Sequence, residues 1–210
     1  MKLVWFGHAC FLIDTGNVKI LTDPFDSSVG YKVPTIAVDL ITESHQHFDH
    51  NAHHLIKGNF QLIKEPGVYE FKDVKIKGIR TFHDAEKGSK RGQNIIFVFE
   101  INGIRIGHFG DLGHVPTQEQ IREIGQLDIA LIPVGGTFTI GPKEAKQTMD
   151  LLNPHVVVPM HYKTKYLKFD IAGVEDFTKL CENVKYLESN ELTIDESIKS
   201  EQKAVFVLKL

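Results

Sequence analysis

The chain of 210 residues has little sulfur and little to span a membrane with. It carries only two cysteines, Cys10 and Cys181, three methionines and one tryptophan. Two cysteines without CxxC spacing cannot staple a fold of this size, so a disulfide framework is excluded and a reducing compartment is expected. No apolar run approaches the roughly 20 residues that cross a bilayer, so no membrane contact is expected. The opening MKLVWFGHACFLID is interrupted by Gly7 and His8, ends at Asp14 and is followed by no A-x-A cleavage site. It reads as a first strand rather than a leader, and a cytoplasmic location follows. Neither sign of charge dominates: 24 Lys and Arg face 27 Asp and Glu, a net charge of −3. That balance provides no global footprint for nucleic acid, which is a disfavoured partner. Linkers rich in Gly, Ser or Pro, low-complexity tracts and repeats are also missing. With 42% hydrophobic and 24% charged residues, disordered, collagen-like and coiled-coil chains are excluded, and one domain over residues 1–210 is expected.

What is present reads as a mixed αβ pattern. LVWF, CFLID and VKILT are three short extended runs separated by Gly7 and by Thr15-Gly16-Asn17, a β-meander. Residues 24–36 hold two prolines and a glycine without a period and read as a surface loop, followed by a strand over 38–42. A short helix is expected from Asn51 to Ile56. GVYEFKDVKIKGIRTF alternates like a strand, and NIIFVFEI with IRIGHF forms a hairpin about Asn102-Gly103. In the second half, PTQEQIREIG places Ile121 and Ile124 at helical spacing. PKEAKQTMDLL has Pro142 in the first turn and Ala145, Met149 and Leu152 on one face. DIALIPVG and HVVVPM read as buried strands. A helix around 174–181 and a last strand AVFVLKL complete the pattern.

The chemistry concentrates in Ser44-His45-Gln46-His47-Phe48-Asp49-His50, three histidines and an aspartate directly after an expected strand. Side chains two apart in an extended segment share a side, so His45 and His47 can present imidazoles to one ion. Asp49 and His50, past a turn, can face a second. Imidazole and carboxylate admit zinc first, and manganese or iron as well.

This run resembles the metallo-β-lactamase superfamily of metal-dependent hydrolases, and most closely its single-domain, lactonase-like branch. The resemblance extends over nearly the whole chain through Gly7-His8, Ile20-Leu21-Thr22-Asp23-Pro24, Gly110-Asp111, Pro133-Val134-Gly135-Gly136, Gly141-Pro142 and Pro159-Met160-His161-Tyr162. It implies an α/β fold, a four-layer αββα sandwich with the metal site at one edge between two sheets. It implies two divalent metal ions: the first on His45, His47 and a later histidine, the second on Asp49, His50 and His161, with Asp111 bridging. For the later histidine, His83 is preferred to His108, because it ends a strand and precedes a polar loop as the family pattern has it. Ser44 stands where threonine is often found, a mild change.

The implied activity is hydrolysis of a small lactone, phosphate ester or other anionic ester by a metal-bridging hydroxide. Two cations with Asp49, Asp111 and hydroxide leave about one net positive charge, which suits an anionic small-molecule substrate. Bound metal lowers the pKa of water from 15.7 to roughly 7, so no serine or cysteine nucleophile is required. Asp49 would orient the nucleophile, and His8 or His114 would protonate the leaving group. Lys87, Lys90 and Arg91 either meet a substrate anion or form a solvated turn. Gly135, Gly136 and Gly141 either aim the N-terminus of the PKEA helix at an anion or permit turns. Trp5, Phe6 and Phe11 read as core, and Cys10 as a buried thiol. The alternatives are a nuclease or phosphodiesterase of the same fold, or a non-hydrolytic metal sensor or redox protein. His47 argues against the di-iron redox branch, which carries glutamate there and a flavin domain for which the chain has no length. A homo-oligomer is compatible with the sequence.

Overall fold

The structure is a computed structural model and describes residues 1–200 and 202–210. In chain order the elements are β1 (Lys2–Gly7), β2 (Cys10–Asp14), β3 (Lys19–Thr22), β4 (Leu40–Thr42), β5 (Gln61–Ile63), β6 (Gly67–Phe71), β7 (Val74–Phe82), β8 (Gln93–Ile101) and β9 (Ile104–His108). Then come α1 (Gln118–Ile124), β10 (Ile129–Pro133), α2 (Pro142–Leu152), β11 (Val156–Met160), α3 (Glu175–Thr178), β12 (Val184–Tyr186), β13 (Glu191–Thr193) and β14 (Ala204–Val207). They build a six-stranded sheet in the order β13-β1-β2-β3-β4-β5 and an eight-stranded sheet in the order β12-β14-β11-β10-β9-β8-β7-β6.

Both sheets are mixed. The meander β1-β2-β3 is antiparallel, and β4 and β5 then join it in parallel. In the larger sheet β6 to β9 run antiparallel, and β9, β10, β11 and β14 run parallel. The turn between β8 and β9 has Asn102 at φ 49° and Gly103 at φ 75°, the two successive positive values that a tight hairpin demands and that this dipeptide tolerates best.

The period of two sorts the first sheet's side chains into two layers. Leu3, Trp5, Phe11, Ile13 and Ile20 join the core shared with the second sheet, where Phe97 and Phe99 lie. Val4, Cys10, Leu12, Leu21 and Ile41 pack outward instead, against Phe25, Val29 and Tyr31 from the loop after β3. That outer layer is made of loop and of two 3-10 turns, Ser27–Val29 and Ala52–Leu55, so the helix expected over 51–56 is one tighter turn. Its chain is already committed on the upstream side, where His50 N bonds to His47 O. On the other flank α2 begins at Pro142 and buries Ala145, Met149 and Leu152. The helix expected over 174–181 is α-helical only at Glu175–Thr178 and finishes in tighter bonds from Leu180 N to Phe177 O and from Cys181 N to Thr178 O. Two sheets with helices on their flanks are the layered architecture expected. Among the described residues no helix is long and apolar enough to cross a membrane.

Candidate metal centre

Most of the expected ligands leave the carboxyl ends of strands at one edge of the two sheets, the usual place for a binding crevice in sheets with parallel strands. Asp23 follows β3, Ser44 to His50 follow β4, His83 follows β7, Asp111 lies three residues past β9, and His161 follows β11. His8 sits in the turn between β1 and β2. Backbone bonds lace these segments together: Ile95 N to Ser44 O at 2.9 Å, His161 N to His8 O at 3.2 Å and Gly113 N to Phe82 O at 2.9 Å.

A group of Asp23, His45 and His50 overlaps two others, each again with donor atoms within 4.8 Å of one another: His45, His47 and His83, and His8, Asp49, His50 and His161. Asp111 stands between them. Its Oδ2 is 3.3 Å from the Nε2 of His83, 3.3 Å from that of His161 and 3.9 Å from that of His45, and its Oδ1 is 3.2 Å from His50 Nε2. All of His45, Asp49, His50, His83, Asp111 and His161 are buried, and only His47 is exposed. His108, the alternative to His83, turns elsewhere: its Nε2 donates to Ala9 O at 2.7 Å across the sheets.

The donor atoms suit cations. Nε2 of His45, His50 and His161 and Oδ1 of Asp111 are buried without a hydrogen-bond partner. So many orphaned buried acceptors are costly unless an ion satisfies them. Titration tells the same story. Burial would strip the proton from His50, but the carboxylates of Asp111 and Asp49 outweigh it and hold its pKa well above the usual imidazole value. Burial and the neighbouring His50 push His45 well below that value. Burial works against the ionised Asp111, yet the surrounding His161 and His50 keep its pKa far down.

Three further side chains set the geometry, and the sequence reading had given none of them a function. Buried Asp23 accepts Ser44 N at 2.7 Å, Ser44 Oγ at 2.5 Å and His50 Nδ1 at 2.8 Å. That bond places the proton of His50 on Nδ1 and leaves Nε2 free for an ion, as an outer carboxylate does for a metal-bound histidine. Ser44 relays the same effect, with His45 Nδ1 at 3.0 Å from its Oγ. Asn94 accepts Asp111 N at 2.9 Å while its amide donates to Phe109 O and Thr81 Oγ1. A polar residue inside the apolar run of β8 was the available signal for Asn94. Asp23 stood within the Ile20-Leu21-Thr22-Asp23-Pro24 motif, but with no role attached to it.

The glycines near the site are there for close approach. A Cβ on Gly113 would fall inside 3.0 Å of His83 C and Asp84 N, and one on Gly135 inside 3.0 Å of His161 O. Gly136 has φ 65°, so the PVGG segment is a turn pressed against His161. Gly113→Ala is expected to cost about 1–3 kcal/mol by overpacking and to weaken zinc binding by pushing His83 aside. Urea unfolding and zinc titration of the variant check this; wild-type values in both would refute it.

A cavity of about 320 Å³ opens over the cluster, with His47, Asp49, His83 and Asp111 in its wall together with Phe48 and Phe138. Neither His8 nor His114, one or the other of which was expected to protonate a leaving group, is among the residues that line it. His8 is fully buried beneath Asp49, its Nε2 3.1 Å from Asp49 Oδ2, and burial lowers its pKa to about 4. His114 has both ring nitrogens on backbone, Nε2 accepting Phe82 N at 3.3 Å and Nδ1 donating to Val115 O at 2.9 Å.

Comparison with known proteins places this architecture. The β-lactamase superfamily domain model matches residues 2–161. UPF0173 metal-dependent hydrolases of Thermococcus onnurineus and Pyrobaculum islandicum are 34% and 33% identical, over 78% of this chain and 85% of each relative. A crystal structure from Thermotoga maritima, of a proposed Zn-dependent hydrolase of the metallo-β-lactamase superfamily, is 50% identical with a TM-score of 0.84, covering 99% of both chains. An isothiocyanate hydrolase from Delia radicum gut bacteria, 15% identical with a TM-score of 0.69 over 99% of this chain and 96% of that one, shares the fold. The chain therefore belongs to the metallo-β-lactamase superfamily and, within it, to the UPF0173 metal-dependent hydrolases.

Proposed function

We propose that this protein hydrolyses a small ester, first a lactone or cyclic phosphate ester, at a centre of two divalent cations, zinc by preference. The observation that carries the reading is the set of unpartnered imidazole nitrogens converging on Asp111 at the floor of a small cavity. His45, His47 and His83 would hold one ion, Asp49, His50 and His161 the other, and Asp111 both. The bound ions would polarise the scissile carbonyl or phosphoryl oxygen and make water acidic enough to attack at neutral pH.

The protein's own groups do the rest. Asp23 and Ser44 hold His50 and His45 in the ligating tautomer. His8 lies 3.1 Å from one carboxylate oxygen of Asp49 and so fixes the orientation of that carboxylate toward the candidate ligands. Phe48, Phe138 and Phe169 close the cavity, with ring centroids 6.3 Å apart for Phe48 and Phe169 and 6.0 Å for Phe138 and Phe169. As apolar lining they would favour a substrate with an apolar body.

The test is metal analysis combined with a panel of lactones, aryl phosphodiesters, aryl carboxylate esters and amides. Two zinc ions per chain are expected, with turnover of at least one ester that EDTA abolishes and added zinc restores. Zinc-loaded protein that binds a small molecule and returns it unchanged would identify a sensor instead.

A further inference from the structure

We propose that Arg91 forms a carboxylate-binding subsite of this cavity, so that the substrate is an ester bearing a second, unreactive carboxylate set apart from the scissile bond; this rests on the hydrolase reading above. Arg91 borders the same cavity as His47, His83 and Asp111. It is half-buried, and among the described residues no carboxylate pairs with it. Its guanidinium carbon lies 5.6 Å from the centre of the Phe138 ring. A cation–π contact of that kind spends none of the guanidinium N–H donors on a hydrogen bond and leaves them for a planar, bidentate acceptor. A partly desolvated cation without a counterion, beside a cavity, is satisfied by an anionic ligand.

The loop around Arg91 is built to hold it there. Buried Asp84 accepts the backbone N–H groups of Glu86, Gly88, Lys90 and Arg91 at 2.8, 2.9, 3.0 and 2.8 Å. The nearest acid in the loop thus turns to the backbone and leaves the guanidinium unneutralised. Gly92 N to Gly88 O and His83 N to Gly92 O close the loop onto a candidate metal ligand, so Arg91 and the metal centre keep a fixed spacing. The other loop cations stand apart: Lys90 pairs with Glu86, and Lys87 is exposed. One guanidinium without a second cation matches a carboxylate better than a phosphate dianion.

The experiment compares glutarate with butyrate, which differ by one carboxylate, by calorimetry on zinc-loaded protein. Wild type is expected to bind glutarate about tenfold or more tighter, the effect of one charge-assisted contact. Arg91→Gln keeps the N–H that Asp84 holds and is expected to erase the preference, while Arg91→Lys retains part of it. A wild type without preference, or an Arg91→Gln that keeps it, overturns the proposal. Turnover of mono-4-nitrophenyl glutarate against 4-nitrophenyl butyrate provides the second arm, where the ratio of kcat/KM values should fall by the same factor in Arg91→Gln. Loss of the glutarate preference in the variant, with neither ester hydrolysed by wild type, would remove the hydrolase reading and leave the subsite standing.

Discussion

Asp111→Ala is expected to lower turnover by at least about 10³-fold at saturating zinc, the equivalent of several kcal/mol of transition-state stabilisation. The Nε2 atoms of His50, His83 and His161 all lie within 3.3 Å of its carboxylate, at the meeting point of the two donor groups. The isosteric Asp111→Asn keeps the shape and the bond from the residue 111 backbone N to Asn94 Oδ1, which does not involve the side chain that is changed. Its defect therefore isolates the charge. Both variants should lose zinc on dialysis that wild type survives, read by metal analysis alongside kcat/KM. Full zinc content with wild-type turnover in either variant would end the assignment of Asp111 as the shared ligand.

Asp23→Asn is expected to weaken zinc binding by about 10- to 100-fold, the usual cost of losing an outer partner of a metal-bound histidine. Asp23 accepts three hydrogen bonds from donors, two from Ser44 and one from His50. Asparagine turns one of those acceptors into a donor that faces a donor, and the resulting unpaired buried group costs about 1–3 kcal/mol. His50 is then free to carry its proton on Nε2, where it would block an ion. Asp23 does not border the cavity, so KM at saturating zinc should change far less than zinc affinity. Competition against a chelator of known affinity and urea unfolding measure the two effects. Zinc affinity equal to wild type would show that His50 is oriented by something other than Asp23.

The contrast between Asp111 and Asp23 shows what could be read along the chain. Asp111 could be matched by motif because it is a ligand within Gly110-Asp111. Asp23 acts through side chains 21 and 27 residues away, a relation without a local signature. The same limit governed the strands. β1 to β3 and β8 to β11 alternate or run apolar for long enough to declare themselves. β5, β12 and β13 are three residues each, too short for any period, and exist because a neighbouring strand offers them a ladder. His8 and His114 were plausible acids by residue type. Their hydrogen bonds, visible only in the fold, put one beneath Asp49 and tie the other to backbone.

The sequence by itself determined the donor chemistry, the turn and helix signals such as Asn102-Gly103 and Pro142, and the mixed order of strands and helices. These depend on residue type and short spacing, which the backbone's own periods translate directly into structure. Only the tertiary structure decided which nitrogen of each histidine is left unpartnered, that Asp23 and Ser44 orient His50 and His45, and that Arg91 rather than Lys87 or Lys90 reaches the cavity. Those outcomes depend on how two sheets pack and which distant backbone and side-chain donors meet when they do. Packing joins residues as distant as His8 and His161, 153 positions apart, and no local pattern carries that information.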